Sequence, residues 1–408
     1  MNGLVSSIVS TASPPVVVFD PYDYTTQDDP YPIYAWLREN APLYHNEQHG
    51  FWALSRHADV TAAFRADPTY SNSMGVSLDP SSWGPQAKTV MSILAMDPPE
   101  QTRLRALVSR GFTPRRVAQL EDQIRTISRE HLDALDLSAP FDFIDTFAGK
   151  VPMDVISEMM GVPRSDRAEL RRMADLLVHR ADGERDVPKE GVEAAITLFG
   201  YYGQMLADRR RKPSDDLTSA LAQAEVDGDR LTDEEIIGFL FLMIVAGNET
   251  TTKLLGNAVY WAAKNPDELA KALTDQSRIP AWVNETVRYD GSTQLLARFL
   301  LEDVTLHGRV APAGSQLVLL LGAANRDDAV FPDPDRFDID RDTTQMVSFG
   351  GGRHYCLGAN LARLEGRVAL EELAARVRGI EIDEARAERV HSVNVRGFAH
   401  LPVVVQPR

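Results

Sequence analysis

The chain has 408 residues, with 43 Lys and Arg against 59 Asp and Glu, for a formal charge of −16. That sign argues against non-specific binding to nucleic acid or to an anionic membrane surface. One cysteine excludes an intramolecular disulfide and any all-cysteine zinc site, and no run of about 18 apolar residues is present to span a bilayer.

Residues 1–19 read as an N-terminal arm, rich in Ser and Pro and without the basic start of a secretory signal. Tyr31–Asn40 places Ile33, Trp36 and Leu37 at helical spacing, and a strand at Gly50–Ser55 precedes a helix at Ala58–Ala66. Ser71–Leu94 is irregular; a loop this long is either functional or plainly mobile. Pro98 and Pro99 suit a helix start and Glu100 its first turn. Gln101 and Arg105 then share a face. Arg103, Arg105, Arg110, Arg115 and Arg116 crowd the same short stretch of an otherwise acidic chain. Ala118–Arg211 is helical in pattern, broken at Ser138–Pro140, Gly161–Ser165 and Asp182–Pro188.

Thr232–Lys264 predicts a helix about 48 Å long. Thr232 with Glu235 forms a capping box, and Leu231 with Ile236 a hydrophobic staple. Ile236–Ala246 is apolar or Gly without a break, which predicts burial on every side. The acid in the Ala246-Gly247-Asn248-Glu249-Thr250-Thr251 stretch that closes this run is expensive to bury unless it is paired or functional. The competing reading is a solvated polar patch. A further helix starts at Pro280 and sets Glu285 and Arg288 on one face. Strand periodicity follows at Val304, Leu306, Val310 and Leu317–Leu321, with a turn at Ala311–Gly314, and Ile380–Val405 is strand-rich.

The stretch Phe349-Gly350-Gly351-Gly352-Arg353-His354-Tyr355-Cys356-Leu357-Gly358 holds the one cysteine. Consecutive glycines free the backbone for positive φ and close approach. The thiol precedes Leu357, Leu361, Leu364 and Val368, spaced as one helix face, and a helix N-terminus favours thiolate. A thiolate on such a loop is a soft, strongly donating ligand suited to iron. The competing reading is a buried structural thiol.

This stretch resembles the haem-binding signature of the cytochrome P450 family, Phe-x-x-Gly-x-His/Arg-x-Cys-x-Gly. Phe349, Gly352, His354, Cys356 and Gly358 fall on its fixed positions. Ala246–Thr251 resembles the family's oxygen-binding motif, and Glu285–Arg288 its Glu-x-x-Arg pair, with Arg336 the candidate second arginine of that structural network. Asp97–Arg105 resembles a helix entry over one haem face, with Gln101 where many bacterial members carry His.

The resemblance covers roughly residues 20–408. It implies a single-domain, mainly α fold with small β-sheets and haem b between the long central helix and the cysteine loop. Cys356 is the implied iron ligand. The cofactor set is Gln101, Arg105, Ala246, Arg298, Phe349, Gly350, His354, Cys356 and Gly358. Thr250 with Glu249 is the implied proton relay. Met243, Ala246, Thr293, Leu295, Leu296, Val395 and Phe398 are expected around a lipophilic substrate, with the 71–94 loop over it. No Gly-x-Gly-x-x-Gly fingerprint follows a strand, so a separate ferredoxin-type donor with its NAD(P)H-dependent reductase is implied. The expected activity is a cytoplasmic, bacterial-type monooxygenase; a haem-thiolate gas or redox sensor and a helical binding protein without haem are the alternatives.

Overall fold

A computed structural model describes residues 17–66, 68–226 and 228–408, with the side chains of Arg110 and Pro114 outside the description. Most of the expected arm, residues 1–16, also lies outside it. Phe19 anchors the start of the described chain, packing edge-on to Tyr34, Tyr44 and Phe51.

The central helix, Asp233–Lys264, has 32 residues. Its capping box is formed: Thr232 Oγ1 accepts the Glu235 N–H at 3.2 Å, and the Glu235 carboxylate accepts the Thr232 N–H at 2.9 Å. The helices that pack against it most extensively are Val151–Met160, Lys189–Arg211, Ile279–Tyr289 and Ala359–Ala374. Their apolar faces share one large core with the central helix. The apolar run is not buried on every side, however. Leu242, Met243 and Ala246 open onto a cavity, whereas the polar stretch after them is buried at Asn248, Glu249, Thr251, Thr252 and Lys253.

A five-stranded sheet stands beside this helical body. Its order is Leu43–Asn46, Phe51–Leu54, Gln316–Leu320, Leu295–Leu300 and Tyr70–Ser71. All pairings are antiparallel except Phe51–Leu54 with Gln316–Leu320. The strand holding Arg298 starts at Leu295, earlier than the periodicity suggests, and sets Arg298 opposite Leu317. A smaller sheet joins Val377–Ile382, Pro402–Pro407 and Phe141–Asp142. Between residues 71 and 94 there are only short helical turns, Pro80–Ser82, Ala87–Met91 and the start of Ser92–Ala95. Among the described residues no helix is long and apolar enough to cross a membrane.

Candidate active site

A cavity of about 270 Å³ lies between the central helix and the loop that carries Cys356. Phe239, Leu242, Met243, Ala246, Thr250 and Leu254 line it from the helix, a stripe at the three- and four-residue spacing of a single face. Cys356 and Gly350 line it from the loop.

The loop is shaped by packing against Phe64. Gly350 and Gly352 take φ of +70° and +59°. A Cβ on Gly352 would lie 2.2 Å from the Phe64 carbonyl oxygen, and one on Gly351 3.0 Å from the Phe64 Cβ. Glycine is required here by the neighbouring backbone as much as by any ligand. The Cys356 N–H donates to the Phe349 carbonyl at 2.9 Å, closing the loop. Cys356 is exposed, and its open side faces the cavity. The protein that encloses the cavity still strips solvent from the thiol and pushes it up; the N–H groups of Gly358 and Ala359 and the charges of Arg105 and Arg363 work in the opposite direction, toward thiolate.

Three basic side chains, Arg105, Arg298 and His354, enter a cavity whose walls are otherwise chiefly apolar. Arg105 donates to the Tyr355 carbonyl at 2.7 Å, and Arg298 donates to the Ala297 carbonyl at 2.7 Å with its guanidinium over the Phe64 ring. The donor set fits haem: one soft sulfur that would hold the iron, and basic side chains grouped where they would meet two carboxylates. Gln101 is placed otherwise. It is buried and donates to the Arg353 carbonyl at 2.9 Å, bracing the loop from behind without lining the cavity.

A family profile described as Cytochrome P450 matches residues 189–376. Putative cytochrome P450 123 of Mycobacterium tuberculosis is 56% identical over 395 residues, covering 97% of this chain and 98% of its own. Vitamin D(3) 25-hydroxylase of Pseudonocardia autotrophica is 40% identical over 398 residues, covering 95% and 97%. The structure of cytochrome P450 CYP109Q5 from Chondromyces apiculatus superposes with a TM-score of 0.86 at 36% identity, covering 96% of this chain and 98% of that one. The chain belongs to the cytochrome P450 family. It is therefore an oxidoreductase of the haem-dependent monooxygenase class, taking a substrate, O2 and electrons from redox partners.

Most of the anticipated positions of this P450 converge on the cavity. Ala246, Thr250, Phe349, Gly358, Met243, Thr293 and Leu296 all line it. Leu295 and Val395 line a separate small hollow of about 30 Å³; Val395 stands one layer back, bridged to Thr293. Phe398 packs instead against Tyr260 and under the Arg389 guanidinium. From the 71–94 loop only Ile93 and Leu94 reach the cavity.

Glu249 does not line the cavity. Its side chain is 3% exposed and its carboxylate meets Lys253 Nζ at 3.3 Å and Asn248 Nδ2 at 3.2 Å. Lys253 in turn donates to the Phe398 carbonyl at 3.1 Å. Thr250 Oγ1 donates to the Ala246 carbonyl at 2.7 Å, and the Thr250 carbonyl accepts from Ser292 Oγ at 2.6 Å.

Glu285 and Arg288 are fully buried and meet at 2.7 Å through both oxygens. The second guanidinium that reaches Glu285 is that of Arg341, at 3.4 Å, and not that of Arg336. Arg336 is largely exposed and pairs with Asp338; it offers Arg288 only its backbone carbonyl.

One cavity-lining acid escaped the sequence reading. Glu365, on the cysteine helix, is buried, and burial pushes its carboxyl well above the usual carboxylate range. Its Oε2 has no hydrogen-bond partner among the described residues. The signal was its place in the pattern: four residues after Leu361 and three before Val368, on the apolar face.

Proposed function

We infer that this P450 inserts oxygen into a lipophilic small molecule, as a hydroxylation or an epoxidation. Haem b would be the cofactor, and a ferredoxin with its NAD(P)H-dependent reductase the electron source. The observation that carries this reading is one cavity with Cys356, Arg105, Arg298, His354 and the apolar stripe of the central helix on its walls. The relative named as a vitamin D(3) 25-hydroxylase supports a substrate of that lipophilic, mid-sized kind. We place the reaction in the cytoplasm and in one domain over 20–408. The sensor alternative has no comparable support.

Haem, when bound, supplies oxygen activation with iron held by a thiolate that favours O–O cleavage. Cys356 would provide that thiolate, and Arg105, Arg298 and His354 the charges for the propionates. Phe349 and Leu357 would limit water near the sulfur. Met243, Leu296 and Thr293 would hold the substrate against the central helix. Thr250 Oγ1 both donates and accepts: turned from the Ala246 carbonyl, it would give its hydrogen into the cavity as it takes another from water, and the renewed hydroxyl would donate to that carbonyl again. Glu249 would resupply it through water.

The test has two parts. The reduced CO complex of the native protein is expected to show the red-shifted Soret band of thiolate ligation, and Cys356→Ser to lose it. A panel of secosteroids, steroids, fatty acids, terpenes and macrolides is then screened by the low- to high-spin Soret shift, with product assayed under NAD(P)H and a surrogate ferredoxin. A Cys356→Ser protein that kept the red-shifted band would overturn the ligand assignment. A protein that bound members of the panel yet consumed no O2 in their presence would overturn the enzymatic one.

A further inference from the structure

Ser292 reaches the central helix at the turn that carries Thr250. It lies in the crossing stretch 290–294, between the helix Ile279–Tyr289 and the strand Leu295–Leu300. With Thr293 and Leu296 it lines the cavity. Its Oγ stands 2.6 Å from the Thr250 carbonyl oxygen. A carbonyl only accepts, so the single hydroxyl proton of Ser292 is directed at Thr250. The Thr250 hydroxyl is itself given to the Ala246 carbonyl, one turn back, at 2.7 Å. Thr250 is therefore held at two polar atoms, its hydroxyl from within the helix and its carbonyl from outside.

The stretch that carries Ser292 has little freedom to follow the helix. Asp290 is fully buried, and its carboxylate accepts from the Tyr31 hydroxyl at 2.6 Å, Trp261 Nε1 at 2.8 Å and Arg396 Nε at 2.7 Å. Its carbonyl accepts from Asn257 Nδ2 at 2.7 Å. The Ser292 carbonyl accepts the Arg396 N–H at 2.8 Å, and Thr293 is bridged to Val395. Asn257 and Trp261 follow Thr250 by two and three turns of the central helix, on one face, so the crossing stretch is fastened along that face. Ser292 thus sets where the Thr250 carbonyl stands, rather than the reverse. In a regular helix that carbonyl accepts the N–H four residues on. A second donor from outside draws it outward and favours a bend, as does the Thr250 hydroxyl on the Ala246 carbonyl.

We propose that Ser292 is a positioning residue for the reaction: its bond to the Thr250 carbonyl holds the relay turn in place and fixes the direction in which the Thr250 hydroxyl is offered to the cavity. The proposal rests on the relay reading of Thr250 and adds the group that aims it. Ser292 passes no proton itself, since its O–H stays on the Thr250 carbonyl. Ser292, Thr293 and Leu296 share one wall of the cavity, so a substrate pressed against that wall bears on the same fastening. The fit of the substrate and the aim of the relay hydroxyl are in this way linked through one side chain.

Ser292→Ala removes the bond and little else, and Ser292→Thr restores a hydroxyl. The infrared C–O stretch of the reduced CO complex reads the surroundings of Thr250 without turnover. Ser292→Ala is expected to shift or broaden that band, and Ser292→Thr to return it. In a Thr250→Ala background, Ser292→Ala is expected to change the band no further, because its effect passes through the Thr250 hydroxyl. In turnover, Ser292→Ala is expected to keep haem content and the substrate-induced Soret shift, yet to lose product per NAD(P)H and release peroxide; Ser292→Thr is expected to recover coupling. A merely structural bond would instead lower the melting midpoint equally in both backgrounds and leave the stretch and the coupling alone. A native stretch or native coupling in Ser292→Ala, or an equal shift in the Thr250→Ala background, would overturn the proposal. If Thr250→Ala still uncouples in that case, only Ser292 has failed; if Thr250→Ala stays coupled, the relay reading has failed and Ser292 with it.

Discussion

Three consecutive threonines on the central helix test how well helix geometry separates neighbours. Adjacent residues point about 100° apart, and the structure gives each hydroxyl a different setting. Thr250 opens onto the cavity with its Oγ1 tied to the Ala246 carbonyl. Thr251 lines the cavity too but is 3% exposed, and Thr252 is buried with an Oγ1 that lacks a partner among the described residues. Thr250→Ala is expected to fold and bind haem and substrate, yet to consume NAD(P)H and O2 with peroxide replacing product, while Thr250→Ser recovers coupling. Thr252→Ala is expected to remain coupled and to gain slightly in stability, because it removes an unsatisfied buried hydroxyl. Product and peroxide measured together for single Ala variants at 250, 251 and 252 decide this. Strong uncoupling in Thr251→Ala alone would move the role one residue along.

Among the elements, the central helix was legible because each of its signals is local. Its cap, staple and apolar run lie within a few residues of one another, and its terminator, Lys264-Asn265-Pro266, closes it just as plainly. The face left open to the cavity was legible only through the family resemblance, which placed Met243 and Ala246 there, since an apolar side chain against a cavity reads like one against a core. The glycines of the cysteine loop were recognised, but not the close contact with Phe64, which no local pattern encodes. The second arginine on Glu285 was missed for the same reason. Arg336 and Arg341 both follow Phe331-Pro332-Asp333-Pro334 closely, and only the three-dimensional turn sends Arg341 inward, where it also holds the carbonyls of Asp333 and Arg336 at 2.9 and 3.1 Å. Arg288→Leu would leave Glu285 buried with only the Arg341 guanidinium and the Asp338 N–H as partners, and removing one partner of a buried pair costs about 3–5 kcal/mol. A lowered melting midpoint and loss of haem on gel filtration are expected. Arg341→Ala should follow in the same direction, and Arg336→Ala should melt as the native protein does. The reverse order for Arg336 and Arg341 would return the network to the arrangement expected from sequence.

At the scale of the molecule, a net charge of −16 makes any basic patch conspicuous to a charged partner. The arginines that crowd residues 103–116 do not share one fate. Arg103 is spent inside the protein, paired at 2.5 Å with both Asp229 and Glu235, the same glutamate that caps the central helix. Arg105 turns to the cavity and the Tyr355 carbonyl. The expected contribution of Arg110 lies outside the described residues. Arg115 and Arg116 remain exposed on the short helix Pro114–Ala118, which packs against the cysteine helix Ala359–Ala374. An acidic ferredoxin steered to that surface would approach the Cys356 side of the haem, opposite the substrate stripe. Arg115→Glu with Arg116→Glu is expected to slow reduction by such a donor at low salt while leaving the substrate-induced Soret shift unchanged. The difference from native should shrink as salt rises, because the screening length falls from about 10 Å at 0.1 M to about 3 Å at 1 M. Arg103→Glu should behave differently. It breaks two internal ion pairs and adds a like charge beside the helix cap, so its defect should be lowered stability that salt does not restore. Stopped-flow reduction of the ferric protein across a salt series distinguishes these outcomes, and equal rates for native and doubly reversed protein at low salt would remove this surface as the docking site.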